Sequence, residues 1–170
     1  MFHLQKNFPG KELPQENKQP AGGGPFASKP SEVIYEEGIY VGYRYYNTFH
    51  VKPAYEFGYG LSYTEFGYGK LKLSSSQFVD KITAAITISN SGKAAGKEVV
   101  ELYISAPSRK LDKPSEELKA FAKTRLLKPG ESQTLTFVIN ASDLASFDTN
   151  SASWLADAGI YTVKVGSSSI

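Results

Sequence analysis

From Phe66 onward the chain alternates apolar and polar positions in short runs separated by turn signals, the mark of strands with one buried face. The clearest run lies between Phe78 and Asn90. Ile82, Ala84, Ile86 and Ile88 share one parity there, and Thr83, Ala85, Thr87 and Ser89 the other. Asn90-Ser91-Gly92 ends the run in a turn, and a second strand is expected from Lys97 to Ala106. In that strand Val100, Leu102 and Ile104 should face inward, with Val99, Glu101 and Tyr103 outward. Ahead of both, Phe66, Tyr68, Lys70 and Lys72 alternate with Gly67, Gly69, Leu71 and Leu73, so the first strand is expected to contain a twist or bulge. Leu135, Phe137 and Ile139 make another inward set, after a Lys128-Pro129-Gly130 turn of type II chemistry. Ser142-Asp143-Leu144 starts a single helical turn, and Trp154 follows a loop of small residues. Ala158-Gly159 opens a last strand with Tyr161, Val163 and Val165 on one face. Seven or so short strands at this spacing suit an all-β, immunoglobulin-like sandwich of about 100 residues.

The region before Phe66 reads differently. Nine of the eleven tyrosines fall between Tyr35 and Tyr68. Tyr55, Phe57, Tyr59, Leu61 and Tyr63 share one parity, against Glu56, Gly58, Gly60, Ser62 and Thr64, which predicts a strand-like segment with one aromatic face. Gly58 and Gly60 should bend it or let another backbone approach closely. Between residues 33 and 46 the alternation is broken by Glu36, Glu37 and Gly38, so a short helix or turn at 35–42 competes with a strand. NTFHVKPA, residues 47–54, reads as a loop. Residues 1–32 carry Pro9, Pro14, Pro20, Pro25 and Pro30 around the Gly22–Gly24 hinge and should be non-globular.

Composition narrows the partners. Nineteen basic and seventeen acidic residues leave a net charge of only +2, with no basic stripe, which argues against nucleic acid and anionic membrane. No apolar run is long enough to span a bilayer as a helix, and MFHLQKNFPG has no signal pattern. The chain has no cysteine, which removes disulfides, thiolate catalysis and cysteine metal sites but does not fix a compartment. His3 and His50 lack a second ligand at a workable spacing, so no metal is expected. Glu36-Glu37 and Glu116-Glu117 are adjacent pairs that neither a strand nor a helix would converge on one sugar, and they read as solvated charge. Asp143 and Asp148 suit caps or turns, and Asn140-Ala141-Ser142 is a glycosylation sequon.

GIYVGYRYYN and YEFGYGLSYTEF together resemble the end of the second, α/β domain of family 3 glycoside hydrolases, the β-glucosidase group. In that family the segment leads into a fibronectin type III-like domain. GKEVVELYIS, EELKAFAKTRLLKPGES, DLASFD and GIYTVKVGSSS resemble that domain strand by strand, and the likeness covers residues 5–169. It implies an extension over 1–65 and a fibronectin type III-like β-sandwich over 66–170. It also implies an edge strand in SEELKAFAKTRLL, which by local propensity alone, with Ser115 as N-cap, reads as helix. NFPGKE resembles the family's loop before the YEEGIYVGYRYY strand, so residues 1–32 are expected to strap over a neighbouring domain and to be mobile without it. A start inside the second domain is expected of a fragment cut from a longer protein.

The family's enzymes are retaining glycosidases that use an aspartate nucleophile and a glutamate acid/base. The nucleophile lies in a Ser-Asp-Trp-type motif of the barrel domain, whereas Trp154 here follows Ala152-Ser153, and the glutamate lies upstream of this segment. Neither can be assigned in this chain. The resemblance therefore implies a non-catalytic C-terminal module that supports the catalytic domains, needs no cofactor, and belongs to an exported, periplasmic or secreted enzyme whose signal lies upstream. The tyrosine cluster admits a second reading, since rings with a hydroxyl suit sugars as well as domain interfaces. Tyr43, Arg44, Tyr45, Tyr55 and Tyr59 are the candidate contacts in a carbohydrate-binding module that holds a β-linked oligosaccharide. A protein-binding, adhesive sandwich is the third reading.

Overall fold

The computed structural model describes residues 37–169. The expected lead-in over 1–32, with His3, Tyr35 and Glu36, lies outside the described residues. Residues 37–41 make a turn in which the Tyr40 N–H donates to the Glu37 carbonyl at 3.0 Å. The residues from Gly42 onward form one compact unit. It begins with helix α1 (Tyr43–Thr48) and the short strands β1 (Phe66–Tyr68) and β2 (Lys72–Leu73). Strands β3 (Lys81–Asn90), β4 (Val99–Ser105), β5 (Glu117–Lys123) and β6 (Ser132–Asn140) follow. A helical turn α2 (Ala141–Leu144), the hairpin strands β7 (Ser146–Asp148) and β8 (Ser153–Leu155), and β9 (Thr162–Gly166) complete it.

Every pairing is antiparallel. One sheet centres on β3, with β1 and β2 along one edge and β6 along the other. The second has the order β5-β4-β9. The two sheets face each other through the residues that the alternation placed inward. Ala84, Ile86 and Ile88 of β3 and Leu135, Phe137 and Ile139 of β6 pack in one core with Val100, Leu102 and Ile104 of β4. Register matches volume across the β3–β6 seam, with small Ala84 opposite Phe137 and Ile86 opposite Leu135. On the outer side of this seam the Thr87 and Thr134 hydroxyls meet at 2.9 Å.

The expected irregularity of the first strand is a break. Tyr68 lies opposite Ile88 and Lys72 opposite Ala85, so one extra residue is accommodated around Gly69. The SEELKAFAKTRLL segment is the strand β5 at a sheet edge. Pairing with β4 supplies hydrogen bonds that outweigh its helical propensity, with a register shift at Leu102/Tyr103. The Lys128-Pro129-Gly130 turn forms as its chemistry predicts. Gly130 takes φ 80°, and the Glu131 N–H donates to the Lys128 carbonyl at 2.9 Å. In α2, the Asp143 carboxylate accepts the Asn140 N–H at 2.7 Å, closing the turn.

Three expectations are corrected. First, residues 55–63 form no strand. The Tyr59 N–H bonds to the Glu56 carbonyl in a turn, and Gly58 takes φ 86°. Without a neighbouring strand to share hydrogen bonds, alternation alone does not hold a chain extended. Second, the helix falls at Tyr43–Thr48, later than the 35–42 window in which helix and strand competed. Third, Glu101 and Tyr103 are buried even though they face away from the core, so β4 is covered on both sides.

Asn90 ties the first sheet to what precedes it. Its buried amide donates to the Ala94 and Leu127 carbonyls at 2.7 and 2.8 Å. It accepts from the Thr64 hydroxyl at 2.7 Å and from the Gly92 N–H at 3.0 Å. All its hydrogen-bonding capacity is thereby used, which makes the amide hard to replace. Gly92 lies so close to Thr64 and Glu65 that a side chain there would collide with both.

Truncating Leu102 to Ala should cost about 2–5 kcal/mol in urea denaturation, because its cavity would open between two sheets. Val138→Ala, at an outward position of β6, should stay within about 0.5 kcal/mol.

Candidate functional site

The outer face of the β5-β4-β9 sheet is roofed by the segment that begins with α1. Gly42, at φ 60°, turns the chain into the helix. The Tyr43 ring then drops onto the sheet, 5.7 Å edge-on from Tyr103 and 5.3 Å from Phe57. Its hydroxyl accepts the Leu118 N–H of β5 at 2.8 Å. Thr48, at the other end of α1, accepts the Ser115 N–H at 2.9 Å. Both bonds satisfy backbone donors along the β5 edge, which has no further strand to pair with among the described residues.

Glu116 fastens the same helix. Only 1% of its surface is exposed, and both carboxylate oxygens are engaged. Asn47 Nδ2 donates to Oε1 at 2.7 Å, and Lys164 Nζ of β9 to Oε2 at 2.8 Å. Helix, β5 flank and β9 therefore meet at one buried carboxylate. This corrects the reading of Glu116 as solvated charge. Its neighbour Glu117 pairs with Lys119 at 3.2 Å and more loosely with Arg44 at 4.0 Å.

Beyond the helix the roof is pinned again. The Ser169 N–H donates to the Phe57 carbonyl at 2.8 Å. Gly58 sits 2.7 Å, measured from where a Cβ would stand, from both Glu101 Oε2 and the Ser167 carbonyl. With its positive φ, this is a position only glycine fills. Glu101 Oε2 in turn accepts the Tyr103 hydroxyl proton at 2.6 Å. Burial, then this bond to a carboxylate, pushes the Tyr103 phenol well above its usual value of 10.0. The same two causes, with Glu98 as the partner, raise Tyr68.

Each of the five candidate sugar contacts has a partner within the chain. Tyr43 is spent on the sheet, and Arg44 faces Glu117. Tyr45 packs at 5.0 Å on Phe49 and at 5.7 Å on Tyr46. Tyr55 and Tyr59 form a separate pair, with ring centroids 5.1 Å apart. The exposed side of the roof is strongly apolar. Tyr55 is 73% exposed and Leu61 92%, with Phe57, Tyr59 and Tyr63 also open to solvent. The roof thus has an inner half that locks onto the sheet and an outer half that no described residue covers. Sequence reasoning missed Asn47, Glu116 and Lys164, since a carboxylate in a charged run gives no sign of burial.

Among the described residues no group of three or more His, Asp or Glu is placed to hold a metal, and no helix is long and apolar enough to cross a membrane. The three buried carboxylates among the described residues, Glu101, Glu116 and Asp157, are occupied by partners inside the fold, Asp157 accepting the Arg109 and Lys110 N–H groups.

Comparison with known proteins adds the family. Residues 98–169 match the fibronectin type III-like domain model. The chain is 45% identical to β-glucosidase A of Butyrivibrio fibrisolvens over 80% of its own length and 19% of that protein. Among solved structures, β-glucosidase 3B of Thermotoga neapolitana in complex with α-D-glucose is 55% identical with a TM-score of 0.76, covering 83% of this chain and 19% of that one. A Bifidobacterium adolescentis GH3 β-glucosidase gives 33% and 0.77, over 85% and 21%. Over most of its length the chain is similar to the C-terminal region of family 3 β-glucosidases. It spans about a fifth of the length of these relatives. Residues 98–169 of the fibronectin type III-like domain include all of β4, β5, β6 and β9, and so most of the core.

Tyr43→Ala should destabilise the chain by about 2 kcal/mol or more, and Tyr55→Ala by less than about 0.5 kcal/mol, in urea melts of the two variants. Stability should also fall at alkaline pH. The buried phenols hold their protons above the point where an unfolded tyrosine ionises, so their contribution is full below about pH 10 and is lost as pH rises further. Tyr103→Phe, followed by circular dichroism against pH, should lower stability at neutral pH, because buried Glu101 loses its partner. It should also flatten the further decline above about pH 10, because one titrating phenol is gone.

Proposed function

We propose that the chain is a non-catalytic module of a family 3 β-glucosidase that acts by supporting the catalytic domains preceding it. The observation that carries this reading is the division of the aromatic roof. Its inner half is fixed to the sandwich by Tyr43, Glu116 and Gly58, while Tyr55, Phe57, Tyr59, Leu61 and Tyr63 stand exposed on a fixed base. Large aromatic side chains bury about 150–250 Å² each, so this row exceeds the few hundred Å² of apolar patch that a protein ordinarily leaves in water. A chain that spans about a fifth of its relatives' length leaves ample protein to cover it. The partner is therefore the upstream part of the enzyme, and the substrate of the whole is a β-glucoside.

Catalysis by this chain is not part of the proposal. A retaining mechanism needs two carboxyl groups roughly 5–5.5 Å apart across an open bond. Glu101 and Glu116 are both buried and already bonded within the fold.

The test is complementation in trans. The upstream portion of a family 3 β-glucosidase 55% identical over this region is prepared without its C-terminal fifth, and its thermal inactivation is followed with and without the chain. The chain should slow inactivation, and Tyr55→Ser/Tyr59→Ser, folded as the parent chain is, should not. Hydrolysis of an aryl β-glucoside by the chain alone, or equal protection by the double variant, would count against the proposal.

A further inference from the structure

The β7–β8 hairpin is built inside out. Among the described residues its strands pair only with each other, and Phe147 lies directly opposite Trp154. These two rings point to solvent, 49% and 69% exposed, while Ser146, Asp148, Ser153 and Leu155 are half-buried on the other face. A slip of one residue would exchange the faces and bury the rings. The turn prevents it. Asp148 accepts the Asn150 N–H at 3.0 Å and the Ser151 hydroxyl at 2.7 Å, and Ser151 meets Ser153 at 2.7 Å. Ala152 takes φ 48°, a conformation rare for a residue with a side chain. These hydrogen bonds also hold the Asp148 carboxyl below the usual aspartate range, the Ser151 hydroxyl contributing most.

We propose that the outward face of this hairpin is a stacking platform for the glucose rings of a β-linked glucan. Phe147 braces the indole at 5.7 Å with the ring planes 67° apart, and the braced Trp154 side chain remains mostly exposed. Two exposed rings offer far less than the roughly 800 Å² per partner of a stable protein interface. They do match a sugar ring, which presents a flat array of C–H bonds to an aromatic face and hydroxyls to the indole N–H at its edge. Rigid aromatic anchors of this kind lose little entropy on binding. The platform lies on a different element from the tyrosines of the roof, and it places substrate-binding capacity on a chain proposed to do no chemistry. Only the choice of glucose as the sugar rests on the β-glucosidase reading.

Trp154 is the only tryptophan of the chain, so its fluorescence reports this site alone. Titration of the chain with cellohexaose should quench the emission and shift it to the blue in a saturable way. Phe147→Ala should weaken that binding about tenfold at unchanged melting temperature, and Tyr55→Ser/Tyr59→Ser should leave it as it is. Should Phe147→Ala fail to fold, the indole N–H resonance of the unaltered chain reads the same binding: it shifts with cellohexaose if the platform holds the sugar and stays in place if it does not. An unresponsive indole, or binding that survives Phe147→Ala but is lost in Tyr55→Ser/Tyr59→Ser, overturns the platform. Neither result touches the support role, which is read from inactivation of the catalytic portion.

Discussion

A central strand that is buried on both faces needs two covers, and β4 is such a strand. Its Val100, Leu102 and Ile104 meet the first sheet in the way expected of a sandwich. Its Glu101 and Tyr103 point away from that core and are still shut off from water. A carboxylate and a phenol in that position are tolerable only when bonded, and they bond to each other under the cover of Tyr43, Phe57 and Gly58. The roof is therefore the second cover of the central strand, and residues 43–59 are as much a part of the sandwich as its strands.

This arrangement explains how a small domain can present a large aromatic surface without collapsing onto it. The anchor points lie along the β5 edge, at Glu116 and beside Ser169, and every one of them involves a backbone group or a buried charge. Such contacts are directional, so they fix the height and register of the segment as well as its attachment. Thr64, held by Asn90, fixes the point where the segment passes into β1. Between these anchors the outward side chains are free to be chosen for a partner. The β7–β8 hairpin follows the same logic on a smaller scale, with a hydrogen-bonded turn that fixes which face is outward.

Period-two patterning located β3, β4, β6 and β9 and their inward residues because each has one face on a common core, the condition under which alternation carries information. The same signal misled at Tyr55–Tyr63, where aromatic and small residues alternate in a segment with no strand beside it. β5 was legible only through family resemblance, since its residues favour helix and its strand state is imposed by β4. The burial of Glu101, Tyr103 and Glu116 was not legible. It depends on α1 crossing more than 60 residues of sequence to reach Ser115–Leu118, and no local pattern encodes that contact. Likewise the hairpin's turn sequence, DTNSAS, reads as a loop of small residues, and its hydrogen bonds appear only in three dimensions.

The most direct test of this account is native-state hydrogen exchange at three amides that donate to the roof: Ser115 to Thr48, Leu118 to Tyr43, and Ser169 to Phe57. If the roof is the second cover of β4, these amides should exchange only through global unfolding, with the same free energy as the amides of β4 itself. Exchange of all three through a low-energy local opening, with β4 still protected, would show that the roof is a detachable arm and that the sandwich closes without it.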